Sequence, residues 1–153
     1  MGNLRVAVCD DEPMDLVQTI TLIQQYDTGK CFDIFSYTRA VDLLKIALEK
    51  PFDVVLLDIE METPNGYEIA KKLVMLPSPP VIIFVTKSSA YTLKGYGIAL
   101  RYLQKPLARA AFEEALDASV HEAIAHRLYF TSEDRTVAVS YTHLRAHETG
   151  RNL

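Results

Sequence analysis

The stretch "FDVVLLDIEMETPNG", Phe52 to Gly66, decides the fold. Four apolar residues in a row, Val54 to Leu57, have the look of a strand buried on both faces. That run ends on a carboxylate, Asp58, and not on an uncharged turn residue. A charge is costly to desolvate, so its place at the end of a buried strand needs a reason.

Segments of the same kind recur on either side. Leu4–Cys9 is a short β-branched run that stops at Asp10-Asp11-Glu12, and Pro13 suits the first turn of a helix, where its missing N–H is no loss. Leu16, Val17, Ile20 and Ile23 follow at helical spacing. Residues 31–37 read as a second strand. Val41, Leu44, Ile46 and Leu48 give a second helix closed by Pro51, and a third helix starts at Gly66. Residues 81–85 are a fourth strand with Thr86 at its end, residues 88–96 a short helix, and residues 100–104 a fifth strand that meets Lys105-Pro106. A long amphipathic helix from Leu107 to about His126 carries Phe112, Leu116, Val120 and Ile124 on one face. Five alternations of strand and helix predict an α/β fold: a doubly wound, five-stranded parallel sheet covered on both faces.

Composition agrees. A chain of 153 residues is the size of one ordinary domain, and 49% apolar with 24% charged residues is globular and not disordered composition. The net charge of -4 makes the chain as a whole a poor grip for nucleic-acid phosphates. No apolar run approaches the roughly 20 residues of a spanning helix, and the N-terminus lacks a signal-peptide layout, so a cytoplasmic location is expected. Cys9 and Cys31 both lie in apolar runs and are expected to be small buried side chains, kept reduced.

In such sheets polar chemistry gathers at the carboxyl ends of the strands. Asp10, Asp11, Asp58, Thr86 and Lys105 all fall there, on one rim. Asp58 then sits where a buried strand opens into a crevice. Three neighbouring carboxylates repel one another and call for a hard divalent cation, and oxygen-only ligands favour Mg²⁺. A carboxylate beside such an ion can attack phosphorus and form an acyl phosphate, with Lys105 and the Thr86 hydroxyl to meet the transferred group. A flavin-binding domain of the same class is disfavoured because no phosphate-cradling loop follows the first strand, so no cofactor-binding residues are assigned beyond the metal.

The segments "VAVCDDE", "VVLLDIEM", "NGYEIA", "FVT" and "YLQKP", in this order, resemble the receiver domains of two-component response regulators, which are CheY-like. The resemblance implies a flavodoxin-like sheet of strand order 2-1-3-4-5. It makes Asp58 the phosphoacceptor for a sensor histidine kinase, Asp11 a direct Mg²⁺ ligand, Asp10 a ligand through water, and the Glu60 backbone carbonyl a further ligand. Lys105 would contact the phosphoryl group across a cis Lys105-Pro106 bond, and Thr86 with Tyr102 would form the switch. Such a domain is not an enzyme in the ordinary sense, although it catalyses its own phosphorylation and dephosphorylation. The implied readout is a phosphorylation-dependent homodimer through the fourth helix, fifth strand and fifth helix, a region that carries Tyr91 and Tyr96 as well as Tyr102. Glu62 stands where the family usually has proline, with Pro64 two residues on, so altered loop stiffness is expected.

"SSAYTLKGY" and "YGIALRYLQKPL" resemble the receivers of regulators that carry a LytTR-type DNA-binding domain, and "RLYFTSEDRTVAV" resembles the opening hairpin of that domain. The expected organisation is a receiver over residues 1–127, a stub of the output domain over residues 128–138, and a non-native tail over residues 139–153. That tail resembles a translated sequencing-library adapter. The expected function is phosphorylation-controlled transcription, with DNA bound only through the missing output domain; the alternative is a stand-alone receiver acting as a phosphotransfer or protein-interaction module.

Overall fold

The structure, a computed structural model, describes residues 2–61, 65–87 and 97–135. In chain order the elements are β1 (Leu4–Cys9), α1 (Pro13–Tyr26), β2 (Phe32–Tyr37), α2 (Ala40–Glu49), β3 (Val54–Asp58), α3 (Gly66–Leu73), β4 (Val81–Thr86), β5 (Arg101–Gln104) and α4 (Arg109–Arg135). The helix expected over residues 88–96, with Tyr91 and Tyr96, lies outside the described residues, as do Glu62 and Pro64.

The sheet has the order β2-β1-β3-β4-β5, and every adjacent pair is parallel. This is the flavodoxin-like, doubly wound arrangement. Side chains alternate across a strand, so the apolar runs divide into two cores. Val6, Val8, Val54, Leu56, Ile83 and Val85 pack with Leu16 and Ile23 of α1 and Phe112 and Leu116 of α4. Ala7, Cys9, Val55, Leu57, Ile82 and Phe84 meet Leu43 of α2 and Ile69 and Leu73 of α3. Every residue of β3 and β4 is buried, which explains the unbroken apolar runs over residues 54–57 and 81–85. Each large aliphatic side chain buried this way contributes roughly 1.5–3 kcal/mol.

Two helical stripes differ from the expected ones. Val17 is 60% exposed and Leu48 is 65% exposed, whereas Ala40, Leu43 and Ala47 carry the buried face of α2. Small residues let the helix approach the sheet. Cys31 also departs from expectation: it is exposed, while Cys9 is buried. Its backbone N–H donates to Asp27 Oδ1 at 2.8 Å, which holds the chain at the edge of β2.

The C-terminal helix is longer than expected. Residues 127–135, read as a strand and a polar turn, continue α4 to Arg135, across the boundary set at residue 127. No glycine or proline interrupts the chain from Leu107 to Arg135. Extending an existing helix needs no new nucleus, and a lone hairpin would be marginal. Residues 136–153 lie outside the described residues.

Arg127 explains what this extension gains. Its Nε and Nη2 donate to the two oxygens of Asp53 at 2.9 and 2.8 Å, and its Nη1 and Nη2 donate to the carbonyls of Gly2 and Asn3 at 2.9 and 2.7 Å. Asp53 Oδ2 also accepts the Arg5 N–H at 2.7 Å. The guanidinium thus ties α4 to the segment that leads into β1 and to the entrance of β3. Arg127→Met is expected to cost about 2–4 kcal/mol, because it leaves a largely buried carboxylate without its cation. Urea unfolding checks this; a loss below about 1 kcal/mol would reduce the pair to an ordinary surface bridge.

Among the described residues, no helix is long and apolar enough to cross a membrane.

Candidate functional site

The sheet register builds the site. Cys9 pairs with Leu57, so Asp10 leaves β1 beside Asp58 at the end of β3. Thr86 ends β4 and pairs with Gln104, which places Lys105 just past the end of β5. The Lys105-Pro106 bond is cis. Asp10 and Asp58 are only 2% and 5% exposed, while Asp11 faces solvent. Ligand atoms of Asp10, Asp11 and Asp58 lie within 4.8 Å of one another. The carboxylate at the end of the buried strand therefore belongs to a shared acidic pocket.

Among the described residues, Lys105 is the cation that reaches this pocket. Its Nζ donates to Asp10 at 2.8 Å, to Asp15 at 2.9 Å and to Asp58 at 3.3 Å. Burial opposes the charged ammonium, but the hydrogen bonds to Asp10 and Asp15 and the charge of Asp58 outweigh it and raise its pKa. Asp58 moves the other way from an ordinary paired acid. Burial and then the neighbouring Asp10 push its carboxyl up to about 6, against Lys105 and the Glu60 N–H, which lies 3.0 Å from Oδ1. One ammonium does not neutralise this pocket.

The donor set fits a hard divalent cation. The three converging groups offer oxygen only, the preference of Mg²⁺. The nearby thiol does not join them: Cys9 Sγ lies 3.7 Å from Met61 Sδ, and burial followed by Asp10 and Asp58 pushes its pKa up to about 12. A protonated thiol is no competing ligand.

The other expected residues line the same rim. The Thr86 hydroxyl is buried and donates to Glu60 Oε1 at 3.3 Å. Tyr102 on β5 stacks obliquely on Phe84 with centroids 5.4 Å apart. Its buried hydroxyl makes no hydrogen bond to the described residues.

Behind Asp58 the chain returns into α3. Asn65 accepts the Glu68 N–H at 2.9 Å, and Glu68 accepts the Asn65 N–H at 3.1 Å. This reciprocal cap satisfies two otherwise unpaired donors. The Gly66 N–H donates to the Ile59 carbonyl at 3.1 Å, so the helix begins directly on the backbone that carries the phosphoacceptor candidate.

Sequence reading missed Asp15. An acid in the first turn of a helix is already accounted for by the helix dipole, and only the fold brings it to Lys105. The one legible signal was its spacing, one helical turn beyond Asp11.

Comparison with known proteins agrees with this geometry. A family model for "Response regulator receiver domain" matches residues 6–117. The Sensory transduction protein LytR of Streptococcus mutans is 29% identical over 114 residues, which are 74% of this chain and 47% of that protein. The Positive alginate biosynthesis regulatory protein of Pseudomonas aeruginosa is 32% identical over 114 residues, 74% of this chain and 46% of that protein. The chain thus spans about half the length of these curated relatives. Among solved structures, the response regulatory domain of protein mrkE from Klebsiella pneumoniae superposes with a TM-score of 0.73 at 20% identity, over 80% of this chain and 99% of that one. A two component transcriptional regulator AraC from Clostridium phytofermentans gives a TM-score of 0.71 at 27% identity, over 82% and 98%. With the family match covering most of the chain, and with a parallel sheet in the order 2-1-3-4-5, this protein belongs to the response regulator receiver domain family.

Proposed function

We propose that this domain accepts a phosphoryl group on Asp58 from a sensor histidine kinase and converts it into a change of its output surface. The observation that carries the proposal is the Lys105 ammonium 3.3 Å from Asp58, on a rim where Asp10, Asp11 and Asp58 converge within 4.8 Å. Asp11, Asp58 and the Glu60 carbonyl would hold Mg²⁺, with Asp10 acting through water. The ion would supply positive charge to the transferring phosphoryl oxygens.

The residues of the chain do the rest. Asp58, as the carboxylate, attacks phosphorus; a new O–P bond forms, and the P–N bond of the donor phosphohistidine, whose other ring nitrogen carries a proton, breaks and leaves a neutral imidazole. Lys105 meets the charge that arrives on the phosphoryl oxygens. The Thr86 hydroxyl leaves Glu60 for a phosphoryl oxygen, and Tyr102 moves into the space it vacates. The packing equilibrium is thereby biased, and its readout is a homodimer through residues 88–96, β5 and α4.

Transcriptional control would run through a LytTR-type DNA-binding domain; the resemblance of "SSAYTLKGY" and "YGIALRYLQKPL" supports this reading, and this chain spans only 47% and 46% of two relatives. A non-native segment over residues 139–153 is part of the same proposal. Genomic reads across residue 138 that carry no adapter sequence would remove its last element.

The direct test incubates the protein with Mg²⁺ and acetyl phosphate. Acid-stable, base-labile incorporation that a chelator abolishes is expected. Failure with acetyl phosphate and with a phosphorylated kinase alike, in folded protein, would overturn the proposal.

A further inference from the structure

Lys105 Nζ lies 2.9 Å from Asp15 Oδ2, almost as close as Asp10 at 2.8 Å and closer than Asp58 at 3.3 Å. An ammonium has three N–H donors, and here all three are engaged. A phosphoryl oxygen on Asp58 can be met only if one of these partners is released. The side chains of Asp10 and Asp58 are 4% and 6% exposed, so either one, once released, stays desolvated. Asp15 is 24% exposed, and water can take over its carboxylate. Release costs least there.

We propose that Asp15 is a positioning residue: it holds the Lys105 ammonium back from the phosphoryl site until a phosphoryl oxygen replaces it, and so limits the rate of uptake at Asp58. The inference deepens the receiver reading above and rests on it. Asp15 lies outside the three carboxylates that converge on the metal position and acts through Lys105. Its charge has a second effect, because it offsets the ammonium that would otherwise repel a divalent cation in the pocket. The two effects oppose each other. Removing the charge frees Lys105 for the phosphoryl group but weakens Mg²⁺ binding.

A purely structural role predicts something different. As an acid in the first turn of α1, Asp15 favours the helix, so its loss would weaken α1 and lower uptake and Mg²⁺ affinity together. The experiment compares the intact chain with Asp15→Asn and Asp15→Glu, each checked for folding by thermal unfolding. Initial incorporation from acetyl phosphate is measured at saturating Mg²⁺, and Mg²⁺ affinity by NMR titration without phosphodonor.

In Asp15→Asn, uptake is expected to rise about three- to tenfold while Mg²⁺ affinity falls about threefold. Asp15→Glu, which restores the charge, is expected to lie near wild type in both. Unchanged or slower uptake in folded Asp15→Asn would overturn the proposal. If the wild-type chain accepts no phosphoryl group from any donor, the receiver reading fails on its own, and the Mg²⁺ titration decides about Asp15. Equal affinities in wild type and Asp15→Asn then sink the link to Lys105, as does a loss that comes with lowered thermal stability, whereas a loss at unchanged thermal stability that Asp15→Glu restores supports it.

Discussion

Asp58→Asn is expected to take up no phosphoryl group and, without divalent cations, to be more stable than the wild-type chain near about pH 7. The two halves share a cause. The carboxylate proposed to attack phosphorus is buried beside Asp10, and its pKa stands at about 6 instead of 3.8. A folded-state pKa raised in this way means that the folded protein binds the proton more tightly than the unfolded chain does. The resulting stability is fully present below the unfolded value near 3.8 and is lost as pH rises through about 6. A displacement of this size corresponds to at most about 3 kcal/mol.

Asparagine has no charge to desolvate and removes that loss. A gain of about 1–3 kcal/mol is expected in urea unfolding near pH 7, shrinking toward zero by about pH 4. Added Mg²⁺ should narrow the gap by stabilising the wild-type pocket. An Asp58→Asn variant that is less stable than wild type at neutral pH would mean that Lys105 more than compensates the pocket. Retained base-labile incorporation would move the phosphoacceptor to another residue.

How far the sequence reveals all this depends on which force fixes each feature. The sheet was legible because residues 54–57 and 81–85 are buried on both faces, and burial writes itself as unbroken apolar sequence. The rim was legible for the same reason, since a charge that ends such a strand must meet a partner, a ligand or water there. The helix faces were less so. Val17 and Leu48 are apolar yet exposed, and the buried face of α2 is mostly alanine, because close approach to the sheet selects for size more than for hydropathy. Asp15 and Arg127 were missed because their partners, Lys105 and Asp53, are distant in sequence and polar in character. Tertiary ion pairs leave no periodic trace. The end of α4 was misread because "RLYFT" has strand-like residues, and local preference yielded to the helix already in place.

Gly66→Ala is expected to be the most damaging single-methyl change in the described chain, at about 3 kcal/mol or more. The reason is space and not backbone freedom, because Gly66 is not among the residues with positive φ. A Cβ built on Gly66 would lie 2.1 Å from the carbonyl oxygen of Asp58 and 2.9 Å from the Cα of Ile59. Both obstacles are backbone, so no side chain can rotate away. Relief requires α3 to withdraw from β3, which breaks the Gly66 N–H bond to the Ile59 carbonyl and shifts the peptide that presents Asp58. Stability and chemistry should therefore fail together. Gly29→Ala is the control, since its Cβ would meet only the Cys31 sulfur at 3.4 Å, and it should cost less than about 1 kcal/mol. Thermal unfolding of both variants, with Mg²⁺ titration of whatever Gly66→Ala remains folded, checks the argument. A Gly66→Ala protein that unfolds like wild type and binds Mg²⁺ normally would show that α3 is not seated on β3. A loss of stability with normal Mg²⁺ affinity would separate the helix contact from the geometry of the acidic pocket.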